Sequence, residues 1–115
     1  MSAWKLYHNP RCSKSRKALE ILREKGVEPE LVLYLKDPPG RDEIAALVDA
    51  LGGDPEVLLR KKEKVFTEKY RDRDLDREGL IDALATDPVL IERPVAVREG
   101  RAVVGRPPER VLELI

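Results

Sequence analysis

The sequence of 115 residues predicts a mixed α/β fold, with a βαβ half followed by a ββα half and further helices inserted between them. Three observations lead to this prediction. Short alternating or apolar segments bounded by Pro, Gly and Asn predict strands. Longer segments with apolar residues three and four positions apart predict helices. A glycine turn near the end of the chain predicts a pair of antiparallel strands. At this length we expect one domain spanning residues 1–115.

The first part of the chain predicts the βαβ half. Residues 3–8 alternate in polarity and end at an Asn-Pro pair, which predicts a strand that enters a turn. Residues 13–25 repeat apolar side chains at helical spacing, and Gly26 provides a stop for this helix. Residues 31–35 form an apolar segment that predicts a second strand, parallel to the first because a helix connects them.

The middle of the chain predicts the inserted helices. Residues 41–51 carry apolar side chains on one face and end at a Gly-Gly pair, which predicts a helix. Asp54 precedes a proline and is a plausible N-cap of a short helix. Residues 61–75 are highly charged and predict an irregular, solvated connection. Residues 76–85 predict one more helix.

The last part of the chain predicts the ββα half. Segments 94–97 and 102–104 fit an antiparallel hairpin whose turn requires Gly100. A final helix is predicted to start at a Pro-Pro pair, with three side chains towards the core: Val111, Leu112 and Ile115. The complete order of elements is the thioredoxin-like arrangement with helices inserted in its middle.

The composition restricts the classes of function. Lys and Arg together number 22, as do Asp and Glu, so the net charge is zero, which argues against nonspecific binding to nucleic acid or to an anionic membrane. No segment is long and apolar enough for a membrane span or a signal peptide, so we expect a soluble, cytoplasmic protein. A monomer is a separate expectation. One His and one Cys are too few for a metal site, and no bound cofactor is expected.

Cys12 is the only cysteine, and it lies between the first predicted strand and helix. The unpaired N–H groups at a helix start favour a thiolate, and the cations Arg11, Lys14 and Arg16 are expected to act in the same direction. A thiol with a pKa near 8.5 is only about 3 % thiolate at pH 7, so a decrease of roughly two units makes most of it nucleophilic. The competing interpretation is a small buried apolar thiol. Any resolving thiol must come from another molecule.

Two neighbours of Cys12 are candidates to support the thiolate. His8 is the only histidine and is expected either to stabilise the thiolate or exchange protons, or to be a hydrogen-bonded histidine at a strand end. Ser15 is expected to donate a hydrogen bond to the sulfur, to serve the helix start, or both.

Three arginines stand beside proline, glycine or helix ends, and each is a candidate to face Cys12: Arg60, Arg93 and Arg106. Guanidinium groups are planar, forked donors that suit tetrahedral oxyanions, so a thiolate among arginines suits attack on an oxyanion. The competing interpretation is ordinary surface arginines. The bond between Arg93 and Pro94 is a candidate for a cis peptide that holds backbone groups against a substrate.

These residues resemble the ArsC family of glutaredoxin-coupled arsenate reductases over nearly the whole chain. The motifs that carry the resemblance occur in the family's order: His8-Asn9-Pro10-x-Cys12-x-x-Ser15-Arg16, Tyr34-Leu35 to Pro38-Pro39, Leu58-Leu59-Arg60, Ile91-x-Arg93-Pro94 and Gly105-Arg106-Pro107. The chain looks most like the short, single-cysteine branch of the family.

The resemblance implies a thioredoxin-like fold and an arsenate reductase. By this resemblance Cys12 attacks arsenate, and the arginines that bind the oxyanion are Arg60, Arg93 and Arg106. His8, Asn9, Ser15, Arg16 and Pro94 would support the thiolate or the geometry of the site. Glutathione then attacks the adduct, and glutaredoxin clears the resulting mixed disulfide as arsenite leaves.

Two alternatives stay open at this stage. One is a thiol oxidoreductase that acts on another oxyanion or on a glutathione mixed disulfide. The other is an Spx-type transcriptional regulator that binds RNA polymerase, since such regulators share this fold and use a Cys-x-x-Cys switch. Ser15 occupies the second position of that motif here, so a switch that closes an internal disulfide is impossible with one cysteine.

Overall fold

The computed structural model of the protein describes residues 3–115 and divides the chain into two compact units. The first unit contains residues up to Asp37 together with Arg93–Ile115, and the second contains Pro38–Glu92. The first unit thus combines the two halves predicted to form the sheet, and the second corresponds to the predicted insertion. Within residues 3–115, none of the helices has the length and apolar character needed to cross a bilayer.

The first unit is built on a four-stranded sheet with the spatial order β2-β1-β3-β4. Its strands are β1 (Trp4–Tyr7), β2 (Glu30–Val32), β3 (Val95–Arg98) and β4 (Arg101–Val104). β1 pairs parallel with β2 and antiparallel with β3, which pairs antiparallel with β4. The predicted βαβ and ββα halves are therefore confirmed, and they join through the pairing of β1 with β3.

Helix α1 (Ser13–Glu24) connects β1 to β2 and covers the sheet. Its buried residues follow the helical spacing seen in the sequence, and Gly26 ends the helix at a positive φ of 79°. A chain-terminal 3-10 helix, Pro108–Leu114, packs against α1. The core between these elements and the sheet consists of Trp4, Leu6, Ala18, Leu19, Ile21, Leu22, Ala96, Val103, Val111 and Leu114.

The β3–β4 hairpin has the glycine turn that the sequence predicts. Glu99 and Gly100 both have positive φ, at 49° and 80°, which is the pattern of a two-residue type I′ turn. The turn pairs Arg98 with Arg101 and fixes the register of both strands. The carboxyl end of β4 therefore returns to the start of β3, at Gly105 and Pro94.

Two predictions about the first unit are wrong in detail. β2 ends at Val32 rather than Leu35, which is 48 % exposed and lies in the turn that follows. The last helix has 3-10 geometry, whose three residues per turn align Pro108, Val111 and Leu114 on one side. Leu114 is consequently buried, whereas Ile115 was predicted to face the core and is exposed.

The second unit consists of helices α2 (Arg41–Ala50), α3 (Lys64–Lys69) and α4 (Arg77–Thr86) and two short 3-10 helices, Pro55–Leu58 and Pro88–Leu90. The predicted N-cap role of Asp54 is confirmed, because its side chain accepts a hydrogen bond from the N–H of Glu56. A single antiparallel bridge joins Leu59 to Ile91.

Helix α3 corrects the prediction that residues 61–75 are irregular. The helix has six residues, all of them at least partly exposed, so no buried stripe appears in its sequence. It is anchored at its end, where the hydroxyl of Tyr70 donates to the Asp87 carboxylate at 2.6 Å and Lys69 donates to the same oxygen at 2.8 Å. A tertiary contact thus fixes a helix that its own side-chain pattern does not predict.

Candidate active site

Cys12 is the N-cap of α1, the residue at which the extended chain leaving β1 becomes helical. Its backbone has φ −93° and ψ 121°, and its N–H donates to the carbonyl of Asn9 at 2.9 Å. We call residues 9–12 the active loop. The side chain of Cys12 is half-buried, and the backbone N–H groups of Ser15 and Lys14, in the first turn of α1, act on its sulfur and lower the pKa of the thiol.

The environment of Cys12 favours the thiolate. Burial raises the pKa of the thiol, but the backbone N–H of Ser15, the guanidinium of Arg93 and the backbone N–H of Lys14 together outweigh it. The positive charge of Arg93 adds to their effect, and the pKa of Cys12 is lowered from its ordinary value. The first-turn N–H groups act as the sequence predicts.

The cation beside the thiol differs from the prediction. Arg11, Lys14 and Arg16 were expected to lower the pKa of Cys12 through their charges, whereas the charge that acts on the sulfur is that of Arg93. The guanidinium of Arg16 instead donates to the carbonyl of Pro10 at 3.0 Å, on the exposed side of the active loop. Arg16 therefore supports the shape of the loop.

A buried polar contact between Ser15 and His8 also holds the active loop. Ser15 Oγ lies 2.6 Å from Nδ1 of His8 and accepts the N–H of Asn9 at 3.1 Å. Because Oγ already accepts from Asn9, we assign the hydroxyl proton to the bond with His8 Nδ1, which places the imidazole proton on Nε2. The hydroxyl of Ser15 was a candidate donor to the sulfur of Cys12, but it bonds with His8 and Asn9, and it is the backbone N–H of Ser15 that lowers the pKa of the thiol.

His8 is 5 % exposed and stays neutral near pH 7. Burial is the main cause that lowers its pKa, and the charges of Arg23 and Arg16 lower it further. Of the two interpretations of His8, the geometry favours the hydrogen-bonded histidine at a strand end. Its contact with Ser15 positions the active loop, and because the imidazole is uncharged at neutral pH, it does not stabilise the thiolate through a positive charge.

Asn9 holds the active loop through both its backbone and its side chain. Its carbonyl accepts from Cys12, and its side-chain Oδ1 accepts the N–H of Arg11 at 3.0 Å. This Asx-type turn gives the loop its compact form. Asn9 was expected to support the geometry of the site, and these two hydrogen bonds are the contacts through which it holds the loop that carries Cys12.

Arg93 and Arg106 reach the sulfur from the open end of the β3–β4 hairpin. Arg93 precedes β3, Arg106 follows β4, and Nε of Arg106 donates to the carbonyl of Arg93 at 2.8 Å. Nη2 of Arg106 lies 4.0 Å from Sγ of Cys12, and the guanidinium of Arg93 donates to the same sulfur. Nε of Arg93 is buried without a hydrogen-bond partner among residues 3–115. The predicted cis bond before Pro94 is confirmed, and the bond from Arg106 to Pro107 is also cis.

Gly105 is a residue of the site that the sequence reasoning missed. A Cβ at this position would lie 2.9 Å from Cγ of Pro94 and 3.1 Å from Cγ1 of Val111, so the backbone of the hairpin passes too close for a side chain. The N–H of Gly105 donates to the carbonyl of Pro94 at 2.8 Å. The available signal was a glycine at the end of a strand, which often marks such an approach.

Arg60 lies in the second unit, within the segment that bridges to Ile91. Its Nη1 donates to Oε1 of Glu92 at 2.6 Å, and its Nε lies 4.0 Å from a carboxylate oxygen of Glu63. These contacts fix the side chain within its own unit. The assignment of Arg60 as a third oxyanion-binding arginine stays a prediction.

The contacts around Cys12 combine a nucleophile with an anion site. A thiolate, two first-turn N–H groups and two guanidinium groups converge at one end of the sheet. Such a group of donors suits a tetrahedral oxyanion that the sulfur attacks. Among residues 3–115, no three His, Cys, Asp or Glu side chains are grouped so that they could hold a metal ion.

The chain belongs to the ArsC family, whose model matches residues 7–114. Its architecture is thioredoxin-like, in agreement with the solved structures it matches. The uncharacterized protein YfgD of Escherichia coli strain K12 is 48 % identical over 113 residues, covering 96 % of this chain and 95 % of the relative. An arsenate reductase of Neisseria meningitidis is 41 % identical, covering 93 % of each chain. The structure of an arsenate reductase from Vibrio cholerae matches with a TM-score of 0.92 at 40 % identity, covering 97 % of each chain.

Proposed function

We propose that the protein reduces arsenate to arsenite, with Cys12 as the nucleophile and glutathione and glutaredoxin as the source of electrons. The observation that supports this proposal best is the convergence of Arg93 and Arg106 on the sulfur of Cys12. Membership of the ArsC family, and the arsenate reductases among the relatives, support the same substrate.

In the first step the thiolate of Cys12 attacks arsenic. An S–As bond forms, and one oxygen of arsenate takes up protons and leaves as water, so arsenic remains As(V). Arg93 and Arg106 bind the other oxygens and compensate their charge. The buried Nε of Arg93 has no hydrogen-bond partner among residues 3–115 and is one donor suited to this purpose.

In the second step the thiolate of glutathione attacks the sulfur of Cys12. A disulfide forms between the two sulfurs, and the S–As bond breaks with its electron pair on arsenic. Arsenic is reduced from As(V) to As(III) and leaves as arsenite, while two sulfurs are oxidised to the disulfide. Glutaredoxin then reduces this mixed disulfide and restores the thiol of Cys12.

The external thiol in this scheme agrees with the cysteine content. Cys12 is the only cysteine of the chain, so an internal disulfide cannot resolve the adduct. Electrons arrive through glutathione, and the scheme therefore needs no bound cofactor. The reducing cytoplasm is the compartment in which a reaction of this kind would take place.

We include Arg60 in the proposal as a third contributor to oxyanion binding. Its partners Glu92 and Glu63 hold the guanidinium in a defined position within the second unit. If Arg60 contributes, Arg60→Ala raises the KM for arsenate more than it lowers the melting temperature. An equal loss of both would show that its ion pairs are structural.

The experiment that tests the proposal is arsenate-dependent oxidation of NADPH in the presence of glutathione, glutaredoxin and glutathione reductase. Wild type should turn over, and Cys12→Ser should not, although it should remain folded because serine suits an N-cap. Ser13→Ala, next to the nucleophile on the exposed start of α1, is the matched control and should retain activity.

Two results would overturn parts of the proposal. Turnover by Cys12→Ser would exclude the covalent step. A folded wild type that lacks turnover, while its Cys12 still reacts rapidly with iodoacetamide, would exclude arsenate and direct the search to another oxyanion or to a glutathione mixed disulfide.

A further inference from the structure

Two grooves flank the active loop of the first unit, and His8 and Pro10 line both of them. The first runs along α1, has a volume of about 640 Å³ and is also lined by Arg16, Glu20 and Arg23. We call it the α1 groove. The second runs between the active loop and the turn that follows β2, at residues 33–36, and has a volume of about 420 Å³. We call it the loop groove.

The charges of the α1 groove compensate one another. Arg16 donates to a backbone carbonyl at 3.0 Å, and Arg23 forms an ion pair with Glu28 at 2.9 Å. Glu20 and Glu24 line the same groove and add negative charge. An anion gains little from this surface, because its cations have partners and its carboxylates repel.

The loop groove has a different charge pattern. Arg11 and Lys36 line it, no carboxylate does, and neither side chain has a hydrogen bond or ion pair with any residue of the described chain. Leu33 and Leu35 form an apolar wall, and Leu35 is among the most exposed large apolar side chains of the protein. The groove thus combines two cations without partners with an apolar surface.

The position of the loop groove relates it to the nucleophile. Arg11 precedes Cys12 directly in the chain, so their Cα atoms are about 3.8 Å apart. An extended tripeptide spans about 10 Å, so one end of a bound peptide can lie beside Arg11, the chain neighbour of the nucleophile, while the rest follows the groove. The groove is therefore open to a small peptide thiol whose acidic groups bind at one end and whose sulfur reacts at the other.

We propose that the loop groove binds glutathione, with Arg11 and Lys36 contacting its two carboxylates and Leu35 packing against its aliphatic part. This inference rests on the proposed function, because glutathione is the reductant there. The charges match, since glutathione carries two carboxylates and one ammonium group at neutral pH. In this position its thiolate attacks the sulfur of Cys12 in the second step, and the bonds formed and broken are those already given.

The kinetic test separates the two substrates. Lys36→Gln should raise the KM for glutathione about threefold and Lys36→Glu about tenfold at low salt, with a smaller effect at high salt, because an exposed ion pair is weak and screened. The KM for arsenate should stay within twofold of the wild-type value. Lys36→Arg should restore binding, and Lys25→Glu is the matched control, since Lys25 lies at the end of α1 and lines neither groove.

A binding test needs neither arsenate nor turnover. S-methylglutathione, which has no free thiol, is added to Cys12→Ser protein labelled with ¹⁵N, and the amide shifts are followed. We expect the largest shifts at residues 33–36 and at Arg11, and in the Lys36→Glu variant we expect these shifts to saturate only at about tenfold higher ligand concentration. Shifts confined to the α1 groove, or no saturable shifts at all, would overturn the proposal.

The outcomes of the two tests can be told apart. Binding in the loop groove without arsenate turnover would reject arsenate as the substrate and retain the groove as a glutathione site. Turnover with a KM for glutathione that Lys36→Glu leaves unchanged would retain the reductase and reject this groove.

Discussion

Replacement of Gly105 by alanine tests whether close packing at the end of the hairpin holds the two arginines in place. A Cβ at this position would lie 2.9 Å from Cγ of Pro94 and 3.1 Å from Cγ1 of Val111. The proline ring and the branched side chain of valine are both stiff, so neither moves aside easily. The backbone between β4 and Arg106 must shift instead.

The expected loss of stability follows from this contact. Overpacking of a core by one methyl group costs about 1–3 kcal/mol. With an unfolding entropy of about 2.1 cal/mol/K per residue, a chain of 115 residues has roughly 0.24 kcal/mol/K, so the melting temperature should fall by about 4–12 °C.

The expected loss of activity follows from the hydrogen bonds around Gly105. Its N–H donates to the carbonyl of Pro94 at 2.8 Å, and Arg106 Nε donates to the carbonyl of Arg93 at 2.8 Å. A shift of Gly105 therefore displaces both guanidinium groups relative to Cys12. We expect kcat/KM for arsenate to fall on the order of tenfold to a hundredfold, since catalytic geometry tolerates little displacement.

Thermal unfolding followed by circular dichroism, together with the coupled NADPH assay, measures both effects. Gly40→Ala is the control, because a Cβ at Gly40 meets no atom within 4 Å and its φ of −75° is open to alanine. An unchanged melting temperature for Gly105→Ala would refute the packing argument. A lower melting temperature with an unchanged kcat/KM would refute the coupling of Gly105 to the arginines.

Four further predictions concern residues that surround the active loop. Ser15→Ala removes the hydroxyl that joins His8 to the N–H of Asn9, and an unpaired buried polar group costs about 1–3 kcal/mol, to be measured by urea unfolding. The same variant should leave the pKa of the Cys12 thiol nearly unchanged, because the Ser15 N–H remains. A large increase of this pKa would show that the hydroxyl of Ser15, and not its N–H, acts on the sulfur. Arg93→Ala should raise the pKa of Cys12, and hence shift the pH profile of its alkylation by iodoacetamide to higher pH, because a hydrogen bond and a positive charge are lost. Burial lowers the pKa of His8 in the folded protein, so the unfolded chain binds the proton more readily. The contribution of neutral His8 to the free energy of unfolding should therefore be complete above about pH 6.5 and be lost as the pH falls through the folded-state pKa. His8→Gln should remove this part of the pH dependence, as measured by urea unfolding at several pH values.

The sequence predicts local features of this fold well because local chemistry determines them. Gly26 and Gly100 adopt the positive φ that ends α1 and turns the hairpin, as their positions predict. The placement of Cys12 at the start of α1 follows from the break in pattern between a strand and a helix, and the N–H groups of that first turn act on the sulfur. Each of these predictions depends on residues within a few positions of one another.

Features that depend on tertiary contacts could not be predicted in the same way. Helix α3 has no buried stripe and is anchored through Tyr70 to Asp87, which follows a later helix. The choice between Leu114 and Ile115 as the buried residue depends on whether the last helix has 3.6 or 3.0 residues per turn, and packing on α1 decides this. Gly105 is constrained by Pro94 and Val111, which lie on either side of it in the chain.

The identity of the cation beside Cys12 shows how a chain without net charge can hold an anion site. Many arginines of this protein are neutralised by carboxylates, as Arg23 is by Glu28 and Arg77 is by Asp49. Arg93 has no ion pair among residues 3–115, and its guanidinium donates to the sulfur instead. Equal numbers of acidic and basic residues therefore say little about the charge at one point. Arg93 supplies both a charge and a hydrogen bond. Arg93→Lys should therefore keep part of the reactivity of the Cys12 thiol that Arg93→Ala loses. Its KM for arsenate should nevertheless stay well above the wild-type value, because an ammonium group lacks the forked geometry of a guanidinium.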